Sequence, residues 1–510
     1  MQKILALSTS LLLFSGCGVD LAVIKPWEYA PPSPNSIWNP APVAHQSHKQ
    51  AEKMTARIIS ATLPDQKEAL SLAEVIDIAL KNNYATKETW ALARVAAATY
   101  GQSQQNLLPA ATGSYTFDRS RSLGGAASSG GIVIVDDFGN VVSSPTQAGG
   151  APITYLSVWG PQLALSYLVF DFGQTRSTSR AALEALYKAN LTHNREVQSV
   201  IQTITSDYYN YLYQVKLRES YEQDVADAQK TLDSATSSLR TGVRNVSDVL
   251  QAKSQLLQNQ TLLVKQRQAV QEASSQLLTD MGLPAHLSFE VEKMPENPRL
   301  FEIMASVNEL ISLALEERFD LQAAEADLRS RNNILSAARR ALLPSINSNF
   351  NVGRSDFRGT GIPGTITDHY DFELTFTLTW QLFNGLYNLN TIRKAEASRE
   401  YSKAALYQTE LQVIEDITNA KSSVSVARDA MRYTHDFLDA AEEEYKVSLA
   451  QYRSGTTDIL RVISAQTSLA NARSVRAGAL QSWYTSLSTL AYAAGVIQRD
   501  PRTFLQESSQ

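Results

Sequence analysis

One cysteine in 510 residues, Cys17, excludes an intramolecular disulfide and any zinc site built on paired cysteines. Histidine is nearly as scarce. His45, His48, His193, His286, His369 and His435 show no HExxH or three-histidine spacing, so no metal site is legible and none is expected. No nucleophile–base constellation or cofactor motif appears either, which argues against an enzyme and against a bound cofactor. Charged residues make up 19% of the chain, below the roughly 25% usual in soluble globular proteins. With 46 basic against 51 acidic side chains and a net charge of -5, nucleic-acid binding has no electrostatic footprint. Beyond the first residues no run of 18 apolar residues occurs, so no transmembrane helix is expected. A chain of this kind crosses a bilayer only as strands of a closed barrel, because lipid offers no partner to unpaired backbone groups.

The first residues read as a targeting segment. Met1 to Lys3 is a short basic region, and Ile4 to Phe14 is an 11-residue, mostly apolar run, well short of the roughly 20 residues needed to cross a bilayer. Residues 1–16 are therefore expected to be a cleaved signal peptide. Leu13-Phe14-Ser15-Gly16-Cys17 resembles a bacterial lipobox, with Phe14 where leucine is usual. This resemblance implies that Cys17 is lipidated (palmitate among its acyl chains) and begins the mature chain. Gly18, rather than an aspartate, favours the outer membrane. Residues 17–67 are Pro-rich and aperiodic and read as a lipidated N-terminal extension.

The rest of the chain nearly repeats itself. Glu74, Ala79-Leu80 and Leu107-Leu108-Pro109 return as Glu309, Ala314-Leu315 and Leu342-Leu343-Pro344, offset by 235. Phe170, Arg240, Gly242, Ala252, Leu256 and Gly282 return as Phe383, Arg453, Gly455, Ala465, Leu469 and Gly495, offset by 213. The 22-residue difference places an insertion between Pro109 and Phe170 of the first copy. We expect a first repeat over 68–283, a linker over 284–305, a second repeat over 306–497 and a tail over 498–510.

Proline is absent from 162–283 and from 364–500, and Gly242 is the only glycine between Gly173 and Gly282. The stretch 174–240 is 67 residues, about 100 Å if fully helical. Val225, Ala228, Leu232, Ala235 and Leu239 are spaced alternately by three and four, as are Leu438, Ala441, Tyr445, Ser448 and Tyr452. That spacing predicts a left-handed supercoil with small residues in the seam. Strict alternation marks strands. Phe372, Leu374, Phe376, Leu378, Trp380 and Leu382 alternate with Glu373, Thr375, Thr377, Thr379 and Gln381, and Ile346 to Val352 alternates likewise. In the first copy Tyr115 and Phe117, then Leu163, Leu165, Tyr167 and Val169, repeat the pattern. Nine to eleven residues suit a tilted transmembrane strand. Four strands do not close a barrel alone, so copies must associate; two copies or three remain open at this level, with the polar Asn/Thr face favouring three.

The duplicated helix–strand–strand–helix plan resembles the outer-membrane efflux protein (TolC-like) family, in its lipoprotein branch. The resemblance is carried by Phe170-Asp171-Phe172-Gly173 and Leu382-Phe383-Asn384-Gly385. It is carried also by Arg240-Thr241-Gly242 followed by Asp248-Val249-Leu250, and by Tyr452-Arg453-Ser454-Gly455 followed by Ile459-Leu460. It implies a mainly α fold with a transmembrane β portion: a homotrimer whose 12-stranded β-barrel continues as a long α-helical coiled-coil barrel. It implies a passive duct of a tripartite efflux or type I secretion system, sited in the outer membrane and extending into the periplasm. The partners implied are a periplasmic adaptor protein, an inner-membrane pump and outer-membrane lipid.

The resemblance further implies a gate at the periplasmic tip, near the turn glycines Gly242 and Gly455. Asp248 matches the family's acidic residue that links to a tyrosine, here Tyr452. Two positions that carry carboxylates in the best-known member, six and nine residues past the second turn glycine, hold Arg461 and Ser464, with Asp458 close by. A cation-attracting ring therefore does not carry over. The competing reading is a non-transporting, lipid-anchored coiled-coil lipoprotein or adhesin. The insertion, roughly Arg119 to Ile153, is expected to lie outside the cell as a Gly-rich loop, with a small hairpin formed by Ile132 to Val135 and Val141-Val142.

Overall fold

The computed structural model of the chain describes residues 69–123, 134–135, 141–142, 153–242, 244–295, 298, 300–301, 303, 305–360 and 368–497. Two short helices open the first copy, α1 (Leu72–Asn82) and α2 (Tyr84–Ser103), followed by strand β1 (Ala110–Leu123). A hairpin of β2 (Ile134–Val135) and β3 (Val141–Val142) precedes β4 (Ile153–Phe170) and the helices α3 (Gln174–Arg240) and α4 (Val246–Asp280). The second copy repeats the order as α5 (Val307–Glu317), α6 (Phe319–Arg340), β5 (Ser345–Thr360), β6 (Asp368–Thr379), α7 (Tyr387–Arg453) and α8 (Ile459–Ala493). Helices α3 and α7 are both 67 residues long, and α4 and α8 are both 35. The same local chemistry starts each copy. Ser71 with Glu74 and Ser306 with Glu309 form reciprocal capping boxes, which satisfy backbone donors otherwise orphaned at a helix start.

The four long strands form one antiparallel sheet, β1-β4-β5-β6. Its register gathers the alternating residues onto common faces. One row runs Ala111, Leu165, Phe350, Leu374, and the next runs Gly113, Leu163, Val352, Phe372. Offset by one residue lie Ala110, Ser166, Asn349, Thr375 and then Thr112, Ala164, Asn351, Glu373. One face is therefore apolar and the other polar across all four strands. Phe117, opposite Trp159, and Tyr115, opposite Pro161, set aromatic and ring groups at the upper border of the apolar face. Tyr370 and Phe372 are 75% and 80% exposed, so this face lacks a covering layer in the single chain.

The strands differ from the sequence reading in their ends. β6 stops at Thr379 rather than reaching Leu382, because Trp380 turns aside and its Nε1 donates to the Leu342 carbonyl at 3.1 Å. β4 is 18 residues long and runs through Pro161. A proline inside a central strand removes a ladder donor. Gly160 beside it accommodates the irregularity, since a Cβ there would lie 1.8 Å from the Arg354 carbonyl oxygen. The hairpin expected in the insertion pairs Ile134–Val135 with Val141–Val142; the glycines of the Gly-rich loop lie outside the described residues, as does Cys17.

No described helix is long and apolar enough to cross a membrane. At 67 residues, α3 and α7 instead run about 100 Å away from the sheet. α3 packs on α2, α6, α4 and α8, and α7 packs on α6, α5 and α8. The buried seam of α3 is Asp224, Ala228, Thr231 and Ala235, so Val225, Leu232 and Leu239 sit only half-buried beside it. The periodicity is the expected one, but the seam is shifted toward polar residues whose partners come from other helices. On α7 Ala441, Tyr445, Ser448 and Tyr452 are buried as expected, with Leu438 partly buried.

All four long helices end alike. Gly242, Gly282, Gly455 and Gly495 have φ of +73, +76, +84 and +80°, the left-handed conformation that terminates a helix. Gly282 and Gly495 carry a second constraint: each packs against the kink between the two short helices of its own copy. A Cβ on Gly282 would approach the Asn82 carbonyl oxygen to 2.7 Å, and one on Gly495 would approach Glu317 to 3.0 Å. Side chains then close the helix end. Gln198 donates to the Gly495 carbonyl at 2.7 Å, Arg195 to that of Tyr492 at 3.1 Å, and Asn83 to that of Asp280 at 2.7 Å. Arg318, only 2% exposed, is held by Asp320 at 2.6 Å and Asp416 at 2.8 Å. The linker girdles this level, with Phe301 edge-on to the buried Trp483 and Phe289 against Tyr211.

Replacing Gly495 with alanine is expected to destabilise the fold by about 1–3 kcal/mol, since it combines left-handed strain with a backbone clash. Gly101→Ala, at a helical position with nothing within 4 Å of the new Cβ, is expected to be neutral or to stabilise by about 0.5–1 kcal/mol. Thermal unfolding of the two variants in detergent, followed by circular dichroism, checks the contrast.

Candidate functional site

The functional candidates gather where the two helical hairpins turn. At Gly242 the chain passes from α3 to α4, and at Gly455 from α7 to α8. The second turn is a Schellman motif, with Gly455 N donating to the Tyr452 carbonyl at 3.1 Å and Thr456 N to that of Gln451 at 3.0 Å. This geometry puts Tyr452 on the last turn of α7, buried to 1% exposure, and its hydroxyl donates to Asp248 Oδ2 at 3.1 Å. Burial first, then the Asp248 carboxylate, pushes the Tyr452 phenol up to about 12 against the opposing Arg244 charge, so it remains a donor at any physiological pH.

Two further links join the hairpins that sequence reasoning did not find. Arg244, just past the first turn, donates to the Thr457 carbonyl in the second turn and lies 5.0 Å from the centre of the Tyr452 ring. Arg453 Nε donates to Ser234 Oγ at 3.2 Å. The acceptor in the first of these is a backbone carbonyl, which no residue pattern announces. Asp458 is the N-cap of α8, and its carboxylate accepts from the Arg461 backbone N–H at 2.9 Å. Arg461 and Ser464 are exposed, and the Arg461 guanidinium makes no hydrogen bond or ion pair among the described residues.

A buried polar network lies 18 residues back from each turn glycine, about 27 Å up the hairpins. Arg473 of α8 reaches Asp224 at 2.6 Å and Asp227 at 3.2 Å, both on α3. Lys230 adds a 3.0 Å contact to Asp227, whose carbonyl accepts from the Tyr445 hydroxyl at 3.2 Å. Asn259 of α4 and Gln466 of α8 donate to the Asp224 carbonyl at 3.1 and 3.4 Å. One residue set thus ties all four helices together. Among the described residues no cluster of His, Cys, Asp or Glu could hold a metal ion.

The sequence profile described as outer membrane efflux protein matches residues 75–283 and 310–496. The chain is 25% identical over 366 residues to the probable efflux pump outer membrane protein TtgC of Pseudomonas putida, covering 70% of this chain and 72% of that one. It is 23% identical over 402 residues to outer membrane protein OprJ of Pseudomonas aeruginosa, with 78% of each covered. Among solved structures, the CmeC outer membrane channel of Campylobacter jejuni superposes with a TM-score of 0.69 at 18% identity, over 88% of this chain and 94% of that one.

Two buried carboxyls make the helical part sensitive to pH. Burial raises Asp224 to about 6 despite Arg473, and burial together with the adjacent Asp280 carboxyl raises Asp207 on α3 to about 7. Both lie above the ordinary value of 3.8, so the folded chain holds these protons more tightly than the unfolded chain. Their stabilisation is complete below the ordinary value and is lost as pH rises through 6 and 7. The unfolding temperature is therefore expected to rise by a few degrees on going from pH 8 to pH 5.5. Asp207→Asn is expected to raise it at pH 8 and flatten the slope. A fall on acidification over this window, or an unchanged slope in the variant, contradicts the assignment.

Proposed function

Because the chain belongs to the outer membrane efflux protein family, we propose that it acts as the passive duct of an export system. It is an outer-membrane efflux channel; the duct consists of three copies, with twelve strands closing one barrel in the membrane and their helices continuing it through the periplasm. The observation that carries this reading is the sheet: one apolar face, one polar face, and two outer strands, β1 and β6, each with one edge unpaired among the described residues. Backbone groups on those edges have no partner in lipid, so copies must pair β6 to β1. Eight strands leave an interior that side chains fill, whereas twelve leave room for water over Asn349, Asn351, Thr375 and Glu373.

In this reading the helical tip meets a periplasmic adaptor protein and an inner-membrane pump, which supplies the energy. The links Tyr452–Asp248, Arg244–Thr457 and Arg453–Ser234 hold the hairpin turns together and keep the tip shut at rest. The duct is further anchored to outer-membrane lipid through an acylated Cys17.

Three outcomes test these statements. Reconstituted in a planar bilayer, Tyr452→Phe combined with Asp248→Ala is expected to conduct more than the parent, and cells carrying it are expected to admit vancomycin. Unchanged conductance in a correctly assembled oligomer places the closure elsewhere. Cys17→Ser, with the signal made cleavable, is expected to lose the acyl mass yet still need detergent for extraction. Release into buffer instead supports the non-transporting lipoprotein.

A further inference from the structure

We propose that Arg461 makes the periplasmic mouth favour anionic over cationic solutes of the same size; this rests on the duct reading. Asp248 and Arg461 occupy equivalent places in the two copies, offset by 213 residues. Each lies three residues past the N-cap of its helix, Asn245 for α4 and Asp458 for α8. The partial positive charge at a helix start favours an acid there and disfavours a cation. The first copy follows this rule and the second breaks it. Helix stability therefore does not explain Arg461, and neither does a local partner, since its exposed guanidinium has none among the described residues.

The surroundings reinforce the sign. Within eight residues of either turn glycine lie Arg240, Arg244, Arg453 and Arg461, against Asp248 and Asp458. Both carboxylates accept from neutral donors, Asp248 from the Tyr452 hydroxyl and Asp458 from the Arg461 backbone N–H, and each keeps its charge. Arg244 likewise donates to a neutral carbonyl and keeps its charge, so four positive charges face two negative ones. The tip is thus cationic in a chain whose net charge is -5. In three copies all six turns bring these groups to one narrow mouth, where low-dielectric walls concentrate the field. A potential of about one kT there favours a monovalent anion over a cation by roughly sevenfold.

The test is the reversal potential of the full chain in a planar bilayer under a potassium chloride gradient. The parent is expected to reverse toward the chloride potential, Arg461→Gln closer to zero, and Arg461→Glu toward the potassium potential. Lys265→Gln, exposed on α4 and far from the turns, is expected to match the parent. A cation-selective parent, or a selectivity indifferent to Arg461→Glu, overturns the proposal. Absence of conductance in both the parent and the tip double variant Tyr452→Phe with Asp248→Ala overturns the duct reading itself, a distinct result.

Discussion

Lipid hydrogen-bonds to nothing, and the rest of this architecture follows from how the chain meets that constraint. Each chain supplies four strands in register, with a continuous apolar face and a continuous polar one. The sheet interior is paired along its ladders, with an interruption at Pro161, and the two remaining edges must be paired by other copies. Because closure requires association, each long helix emerges from the barrel beside helices of its neighbours. A tunnel needs no separate assembly step: it is the downward continuation of the ring that the strands are forced to make.

The helices then face the opposite difficulty. A hollow wall one helix thick has little interior, so it lacks room for a broad apolar core. The buried seam accordingly uses small residues, Ala228, Ala235, Ala441 and Ser448, together with polar residues satisfied across helices. Larger apolar clusters occur where the short helices and the linker thicken the wall, around Trp483, Leu310 and Ile417 on one side and around Ile204, Leu277 and Val75 on the other. Stability is concentrated at that level, and the long hairpins extend from it.

The duplication, the helix lengths and the strand alternation were legible in the residues because each is a period or an offset, which a one-dimensional string displays directly. The 67-residue span between Gly173 and Thr241 emerged as one helix without a break. Less legible was anything decided by a partner distant in sequence. Val225 looked like a seam residue by spacing and Asp224 did not, since nothing near Asp224 reveals that Arg473 will lie 2.6 Å away. The passage of β4 through Pro161 was likewise not legible, since it depends on Gly160 lying against the Arg354 backbone of another strand. At the tip, Tyr452 and Asp248 were paired through the family resemblance, whereas Arg244 uses the Thr457 backbone and left no trace in the pattern.

The energetics of the links decide where the hairpins can separate. Those at the tip are single hydrogen bonds between groups at or near the water-exposed end, each worth about 0.5–1.5 kcal/mol, or up to about 3 kcal/mol where an ionised group takes part. Together they bias the turns toward contact without locking them. The Asp224–Arg473–Asp227 network is no stronger lock for being ionic, because burial raises Asp224 to about 6 despite Arg473, so the pairing does not fully repay the desolvation of the carboxyl. In the duct proposed above, the links at the free ends of the hairpins are therefore the first to give when the turns separate. The seam below the level of Asp224 sets small residues, Ala235, Ala252, Ala441 and Ala465, beside larger buried ones, Tyr445, Leu449, Tyr452, Ile459, Val462 and Leu469, so hairpins that part there must also expose apolar surface. What opposes that separation is the apolar seam more than the hydrogen bonds, since Tyr452, Val462 and Leu469 are almost wholly buried between the hairpins.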